Sequence, residues 1–287
     1  MTHSLAAGKW FVECHPADGG RISRLTYAGV ELLTAPPTGA AAVAPPGSGA
    51  FEHRPVYGYD DCFPTVDACA FPPDRRALPD HGELVYLPWD VDVATGRMTC
   101  RVASRLLPAR FTRELAFDGP RLTWRFAIAN DGPADLPCLH VMHGLMPLHD
   151  VTALVFPAFR EAVDENTDRP IGAGTPGELA RHLLDAPVGY AKTLVLRGLA
   201  SGETTVTFRG RVAVRMTQPI DVMPNAAIWW NKSAWPGRRG EGRSECAFEP
   251  LSGPCSSLSR SHASGRTMLV PGLGRMAWEV VWEALDV

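Results

Sequence analysis

The chain has little excess charge of either sign, no cysteine pair with the spacing of a metal site, and few segments of helical periodicity. Its 28 lysines and arginines nearly balance 31 aspartates and glutamates, for a net charge of −3. The strongly basic character typical of nucleic-acid binding is therefore missing, and we expect no nucleic-acid partner. The seven cysteines are scattered without a CxxC pair, which argues against a zinc ribbon and against the disulfide framework of a small secreted protein.

Signals for export and for a membrane span are also lacking. The first residues, MTHSLAAGKWF, do not show the basic segment followed by an apolar segment that marks a signal peptide. The uncharged stretch 32–51 contains four prolines, and each would cost about 3 kcal/mol inside a helix. We therefore expect a loop there, no association with a membrane, reduced thiols and a cytoplasmic location.

Period-two alternation of apolar residues is the main regularity of the chain. It predicts strands over 122–128 and 276–283, and hairpins over 89–102 and 206–216. Only the segment 176–186 has leucines at helical spacing, and 27 glycines and 26 prolines favour frequent turns. Long loops are expected at 34–50, 66–80, 157–177 and 231–243. The pattern predicts an all-β sandwich or barrel in which residues 1–287 form one domain.

Three segments contain titratable residues that could carry chemistry. His81 precedes Gly82 at the entry to a strand, where an imidazole on a turn could meet a ligand. His140 and His143 lie on one predicted strand, and residues three apart in a strand point to opposite faces, so we expect no shared metal ion. Glu249 precedes Pro250, which predicts that the strand ends there and that the carboxylate faces the mouth of the sandwich.

An aromatic cluster and a basic loop lie near the C-terminal third. Trp229, Trp230 and Trp235 surround Asn231, and such residues either stack on and hydrogen-bond a sugar or form a core cluster. The arginines of the following loop either lie in solvent or meet a phosphate or carboxylate of a ligand; they are Arg238, Arg239 and Arg243.

Four stretches, taken in order, resemble the galactose mutarotase-like (aldose 1-epimerase) superfamily. GGRISRLTYAGVELL (19–33) resembles its opening hairpin, and FPTVDACAFPPDRRALPDHGELVYLPWDV (63–91) resembles its Phe-Pro, variable loop, His-Gly and tryptophan. LTWRFAIANDGPADLPCLHVMHGLMPL (122–148) resembles the strands and Asn-x-Gly turn that bring in a second histidine. CAFEPLSG (246–253) resembles its late Glu-Pro element.

This resemblance implies a large antiparallel β-sandwich and assigns roles to three residues. His143 is implied as general acid, Glu249 as general base, and His81 as a histidine that binds or orients the sugar. Two arginines of typical members have no clear counterpart: Val85 stands four residues after His81, and Arg54 or Arg75 could substitute for the upstream arginine. The further sugar-binding residues that we predict are Asp61, Trp230, Asn231 and Arg54.

The function predicted is that of an aldose 1-epimerase-like enzyme acting on a small-molecule sugar. A carboxylate removes the proton of the C1 hydroxyl while a histidine protonates the ring oxygen, so no metal or other cofactor is expected. Two alternatives remain open at this point. One is a non-catalytic carbohydrate-binding or sensing protein of the same fold, and the other is an epimerase for a phosphorylated or acidic sugar. The epimerase hypothesis requires folding to bring His143 and Glu249 onto opposite sides of one sugar-sized hollow, and it would be refuted if they faced unrelated surfaces or were walled off from solvent.

Overall fold

The computed structural model describes residues 2–37, 51, 54–236 and 242–286. Within these ranges the strands, in chain order, are β1 (His3–Ala7), β2 (Trp10–His15), β3 (Arg21–Tyr27), β4 (Val30–Glu31), β5 (Tyr59–Cys62), β6 (Cys69–Ala70), β7 (Ala77–Leu78), β8 (Asp90–Ala94), β9 (Arg97–Ala103), β10 (Ala109–Asp118), β11 (Arg121–Asn130), β12 (Leu136–Cys138), β13 (Val141–Gly144), β14 (Met146–Pro147), β15 (Val151–Val155), β16 (Phe159–Asp164), β17 (Arg169–Pro170), β18 (Tyr190–Leu199), β19 (Glu203–Phe208), β20 (Val212–Thr217), β21 (Asn225–Lys232), β22 (Ser244–Leu251), β23 (Met268–Val270) and β24 (Arg275–Asp286). The helices are α1 (Pro176–Leu184) and α2 (Leu258–Ala263), with single 3-10 turns at Leu84–Tyr86 and Leu148–Asp150. In the described part of the chain, neither helix is long and apolar enough to cross a bilayer.

Three antiparallel sheets build the described structure. One has the order β1-β2-β3-β5-β13, with β4 beside β3, and a second has the order β14-β22-β21-β18-β16-β17. The third is eight-stranded, in the order β15-β19-β20-β24-β11-β10-β9-β8. Two short pairs, β6-β7 and β12-β23, lie outside these sheets. The prediction of a large antiparallel all-β sandwich is confirmed.

The eight-stranded sheet packs against both of the other sheets. Tyr59 of β5 contacts Trp124 of β11, with ring centroids 4.7 Å apart. Further along, Ile228 of β21 and Phe248 of β22 face Trp282 of β24 across a narrow gap. These residues belong to one continuous buried core, so each strand of the two smaller sheets has an inner face toward that core and an outer face away from it.

The strands, hairpins and helix predicted from local patterns are found, but the predicted loop over 157–177 contains β16 and β17, and that over 66–80 contains β6 and β7. Most of the predicted loop over 34–50 lies outside the described residues. Both hairpins form, with Val91 opposite Cys100 and Val206 opposite Val214. The helix α1 begins after Thr175, whose side chain accepts a hydrogen bond from the Glu178 backbone in a capping box, and leucines at helical spacing bury its inner side. Helix α2 has only six residues and no extended apolar pattern, and the sequence did not predict it.

Strands β13 and β22 meet where the two smaller sheets adjoin. β13 ends the first sheet and packs beside β22 of the second. Val141 of β13 and Leu251 of β22 lie together in a separate buried cluster at this junction. Side chains on the outer faces of these two strands are therefore neighbours, although more than a hundred residues separate them along the chain.

Candidate active site

A cavity of about 310 Å³ opens on the outer face at the junction of β13 and β22. This volume lies in the range of pockets that bind small molecules, which is roughly 300–1,000 Å³. Two histidines, five carboxylates, two arginines, two tryptophans and several smaller residues line it: Phe51, Val56, Val66, Asp67, Asp80, His81, His143, Leu145, Glu165, Asn166, Thr193, Trp229, Trp235, Arg243, Glu245, Glu249, Ser256 and Arg260.

His143 and Glu249 are in direct contact at the wall of this cavity. His143 follows core residue Met142 on β13, and Glu249 follows core residue Phe248 on β22, so strand alternation turns both outward. The imidazole Nδ1 donates a hydrogen bond to Glu249 Oε1 at 2.5 Å. The side chains are 11% and 6% exposed. The two groups thus share one cavity as predicted, but they lie side by side instead of on opposite sides of it.

Strand β22 does not end at Glu249. It continues through Pro250, which pairs with Ala226, to Leu251, which pairs with Asn225, so the predicted strand end is wrong. On the other edge of β22 the described partner β14 pairs only with Glu245 and Cys246. Pro250 therefore lies beyond the segment of β22 that pairs with β14. The N–H group that proline lacks is not needed for a hydrogen bond to β14 at this position.

The electrostatic surroundings of His143 favour its charged form. Burial alone would lower its pKa, but the charge of Glu249 and the hydrogen bond to it, together with the charges of Asp60 and Glu245, raise the pKa above the ordinary 6.5. A raised pKa keeps the imidazole protonated to higher pH than an ordinary histidine, which suits a general acid.

His81 approaches His143 from a strained turn. Its φ is +59°, and the next residue, Gly82, has φ +70°, where a Cβ would stand 2.1 Å from the carbonyl oxygen of Phe63. Only glycine fits at position 82, because this backbone packs directly on that carbonyl. The His81 ring stacks on Phe51 with centroids 3.7 Å apart and meets His143 edge-on at 5.0 Å. The His-Gly motif therefore brings a second imidazole into the cavity.

An aromatic wall closes another side of the cavity. Trp229 and Trp235 are nearly perpendicular, with ring centroids 6.1 Å apart, and the Arg243 guanidinium lies 4.6 Å from the Trp235 ring. Asn231 is fully buried and does not line the cavity; its amide NH2 donates to the Trp235 backbone carbonyl and its amide oxygen accepts from the Trp235 backbone N–H. Asn231 thus shapes this wall through Trp235 instead of contacting a ligand itself.

Carboxylates dominate the remaining lining. Glu165 is buried and accepts hydrogen bonds from the Ser256 backbone N–H at 2.5 Å and hydroxyl at 3.0 Å. Burial, with the negative charge of Asp67, raises the pKa of Glu165 despite these bonds. Burial and the charge of Asp80 raise the pKa of Asp67 as well. The cavity therefore has an acidic character, which Arg243 and Arg260 offset only in part.

Besides Asn231, three of the predicted sugar-binding residues do not reach the cavity: Asp61, Trp230 and Arg54. Asp61 is fully buried on the inner face of β5, where Tyr59, Arg113 and His140 bind its carboxylate. Trp230 is 1% exposed and points into the core. Its neighbour Trp229 points outward, because adjacent residues of a strand lie on opposite faces. The predictions for Asp61 and Trp230 are corrected accordingly.

Arg54 is also placed differently from the prediction. It is buried behind the cavity, where it pairs with Asp18 at 2.6 Å and approaches Asp60 at 3.6 Å. Its charge is therefore used within the protein and not for a ligand. Arg75 is exposed and does not line the cavity. Arg238 and Arg239 lie outside the described residues.

His140, the residue before β13, and His143 on β13 point to opposite faces, as predicted. His140 binds Asp61 in the core, whereas His143 binds Glu249 in the cavity. Among the described residues, no group of three or more His, Cys, Asp or Glu side chains is arranged to hold a metal ion.

Several lining residues were missed from the sequence. Glu245 shares a strand face with Glu249, four positions away, so period-two alternation could have indicated it. Trp229 was named only as part of the aromatic cluster, because β21 is apolar on both faces there and alternation does not say which tryptophan points outward. Glu165 follows β16 directly and reaches the cavity only through tertiary packing, for which the sequence has no local signal.

Solved structures of similar fold cover the whole chain. One is a candidate aldose 1-epimerase from Escherichia coli K12, with 14% identity and a TM-score of 0.75 over 100% of this chain and 99% of that one. Another is a galactose mutarotase related enzyme from Lactobacillus acidophilus, with 12% identity and a TM-score of 0.71 over 100% and 98%. A galactose mutarotase-like protein from Clostridium acetobutylicum has 12% identity and a TM-score of 0.71 over 100% and 95%.

No protein-family model matches the chain, and no curated protein matches it. The identities to the solved structures are low, so these likenesses show the architecture and leave the activity to other arguments. The agreement over the full length of the chain confirms the fold that the sequence resemblance implied. The chain has the galactose mutarotase-like fold.

Proposed function

We propose that the protein is an aldose 1-epimerase-like enzyme, which interconverts the α and β anomers of an aldose. The observation that carries this proposal is the contact between His143 and Glu249 at the wall of a cavity large enough for a sugar. A general acid and a general base in one pocket are the groups that opening of a hemiacetal ring needs. His81, which meets His143 edge-on, is proposed to bind and orient the sugar.

In the proposed reaction, Glu249 accepts the proton of the C1 hydroxyl as the bond between C1 and the ring oxygen breaks. The electron pair of that bond goes to the ring oxygen, which takes a proton from His143, and C1 becomes an aldehyde carbon. Because Nδ1 of His143 is engaged with Glu249, the other ring nitrogen, Nε2, is the atom that donates. Rotation about C1–C2 and reversal of these transfers then give the other anomer.

The direct contact of the acid and the base is compatible with this chemistry. The C1 hydroxyl oxygen and the ring oxygen are bonded to the same carbon, so two adjacent groups can reach both atoms. Each correctly placed acid or base contributes a factor of about 10²–10⁴ to the rate. We infer from the seven free cysteines that the enzyme works in a reducing compartment, which supports a cytoplasmic location.

The lining favours a neutral sugar over a phosphorylated or acidic one. Five carboxylates face the cavity, and Arg243 is already close to Glu245 and to the Trp235 ring, besides donating to the Val56 carbonyl. These carboxylates would repel an anionic substituent on the sugar. The described residues provide no cluster of arginines at the cavity that would offset this repulsion.

Polarimetry on freshly dissolved single anomers tests the proposal. With a panel of neutral aldoses that includes α-glucose and α-galactose, we expect the optical rotation to relax faster than in buffer for at least one sugar. Binding of a sugar by calorimetry, with relaxation at the buffer rate, would instead identify a carbohydrate-binding protein without catalysis.

The activity is expected to fall on the alkaline side through loss of the acid. His143 has a raised pKa, so its protonated form persists above pH 6.5 and is lost only as pH rises through the raised value. The descending limb of kcat/KM against pH is therefore expected above 6.5. A descending limb centred at or below 6.5 would contradict the assignment of His143 as the acid.

Trp229 is expected to bind the apolar face of the sugar. Replacing Trp229 by alanine removes a face of the aromatic wall, and we expect KM to rise about tenfold, the equivalent of ~1.4 kcal/mol. Trp230→Phe is the matched control, because the neighbouring indole lies in the core. The control is expected to lower the melting temperature without raising KM, and a rise in KM for the control alone would contradict the placement of both residues.

A further inference from the structure

Asp60 lies directly beneath the proposed acid. In the ladder between β5 and β13 it is the residue opposite His143, and paired residues of an antiparallel ladder have Cβ atoms roughly 4.5–5.5 Å apart on the same face. Asp60 is 1% exposed and does not line the cavity. Its carboxylate can therefore act on His143 but not on a ligand.

Two buried arginines hold this carboxylate. Arg21 donates to both of its oxygens, from Nε at 3.3 Å and from Nη2 at 3.0 Å, while Arg54 lies at 3.6 Å. Asp18 completes the cluster by pairing with both arginines. Burial alone would raise the pKa of Asp60, but the charges of Arg21 and Arg54 lower it, so the group is an anion at neutral pH.

A buried anion at this position affects where the proton shared by His143 and Glu249 resides. The proton between His143 and Glu249 can reside on the imidazole, which leaves a carboxylate, or on the carboxyl group, which leaves a neutral imidazole. Only the first state has an acid and a base ready for the proposed reaction. Negative charge behind the imidazole stabilises the charged ring and so favours that state.

Other charged and titratable groups also face His143. They come from each neighbouring element, and all of them are on the cavity side: Glu245 and Glu249 from β22, and His81 with its neighbour Asp80 from the turn after β7. Asp60 differs from them because it approaches from β5, away from the cavity. A bound sugar cannot displace it or shield it.

We propose that Asp60, held ionised by Arg21 and Arg54, is a positioning residue that keeps the shared proton on His143 and so preserves Glu249 as the base. The roles of acid and base in this statement rest on the proposed function, whereas the location of the proton does not. Arg54, which the sequence suggested as a sugar ligand, acts in this arrangement through Asp60.

The adjacent residue provides a matched control. Asp61 is on the same strand, is equally buried, and is bound by a buried arginine, Arg113, at 2.5 Å. Alternation turns it to the opposite face, where it meets His140 instead of His143. Asp60→Asn and Asp61→Asn therefore remove the same charge at neighbouring positions, but only the first removes it from the side of His143.

The experiment is an NMR titration of the protein labelled with ¹³C in its nine histidines, with the His143 signal assigned by its loss in His143→Gln. We expect Asp60→Asn to lower the pKa of His143 by about one unit, the lower end of what a charge within ~4–6 Å does. Asp61→Asn is expected to leave it unchanged. Equal shifts in the two variants, or no shift in Asp60→Asn, would overturn the proposal.

Arg54→Gln covers the case in which Asp60→Asn does not fold. This variant removes one of the two positive charges beside Asp60, while Arg21 still keeps the carboxylate ionised. Less of the negative charge of Asp60 is then offset, so the pKa of His143 is expected to rise. A fall would overturn the proposal. Because the titration needs no substrate, an enzyme inactive on every sugar would refute the proposed function and leave this result standing. If sugar turnover is found, the descending limb of its pH profile is expected to move down in Asp60→Asn and not in Asp61→Asn.

Discussion

Glu249→Gln is expected to lower kcat/KM for anomer interconversion by about 10²–10⁴-fold, the range for loss of one positioned acid or base. Glutamine keeps the size of the side chain and can still bond to His143 Nδ1, but it cannot accept the proton of the C1 hydroxyl. Sugar binding measured by calorimetry is expected to change little, because the cavity keeps its shape. Rates are compared after subtraction of the spontaneous reaction.

Two further variants separate proton transfer from a general effect of charge. Glu165→Gln removes another carboxylate of the same cavity, one that is bound to Ser256 and not to His143, and it is expected to cost much less activity. The double variant His143→Gln/Glu249→Gln is expected to be about as slow as either single variant, because residues that act as a unit are not additive. Equal losses in Glu165→Gln and Glu249→Gln would refute the assignment of the base.

Arg113→Leu is expected to lower the free energy of unfolding by about 3–5 kcal/mol, because it leaves a buried carboxylate without its counter-charge. Arg113 is fully buried, bonds Asp61 at 2.5 Å, and donates to the Gly20 carbonyl at 2.6 Å. Burial alone would raise the pKa of Asp61, but Arg113, His140 and Tyr59 lower it below the ordinary 3.8. Urea unfolding at neutral pH measures the loss.

The control for this variant is Arg125→Leu on the next strand. Arg125 is about half exposed and pairs with Glu114 and Glu279 at 2.8 Å, and exposed pairs of this kind contribute about 0–1 kcal/mol. The contribution of Asp61 is present at neutral pH and is lost as pH falls below 3.8, since its pKa in the folded protein is lowered. Equal costs for Arg113→Leu and Arg125→Leu would contradict the buried network.

The parts of the fold that depend on residues close together along the chain could be predicted from the sequence. Alternation located the strand over 122–128 and both hairpins, since one side of each strand is buried and a period of two records it. The same rule correctly separated His140 from His143. It failed for Trp230 only because no local signal says which of two adjacent tryptophans faces the core. That the 287 residues form one domain remains a prediction.

The parts of the site that depend on how sheets adjoin could not be predicted. The side-by-side contact of His143 and Glu249 follows from the packing of β13 beside β22. No local sequence pattern indicates that these two strands are neighbours. The continuation of β22 past Pro250 depends on where its second neighbour stops pairing. The enclosure of Arg54 by Asp18 and Asp60 likewise requires three distant segments to converge.

The most direct test of the account is exchange NMR on an equilibrated aldose that the protein binds, with wild type and Glu249→Gln compared at equal concentration. At equilibrium no net reaction occurs, so cross-peaks between the α and β anomeric protons report the interconversion rate alone. We predict cross-peaks with wild type that far exceed those in buffer, and cross-peaks at the level of buffer with Glu249→Gln. A wild-type protein that binds the sugar and leaves the exchange at the buffer rate would contradict the proposed catalysis.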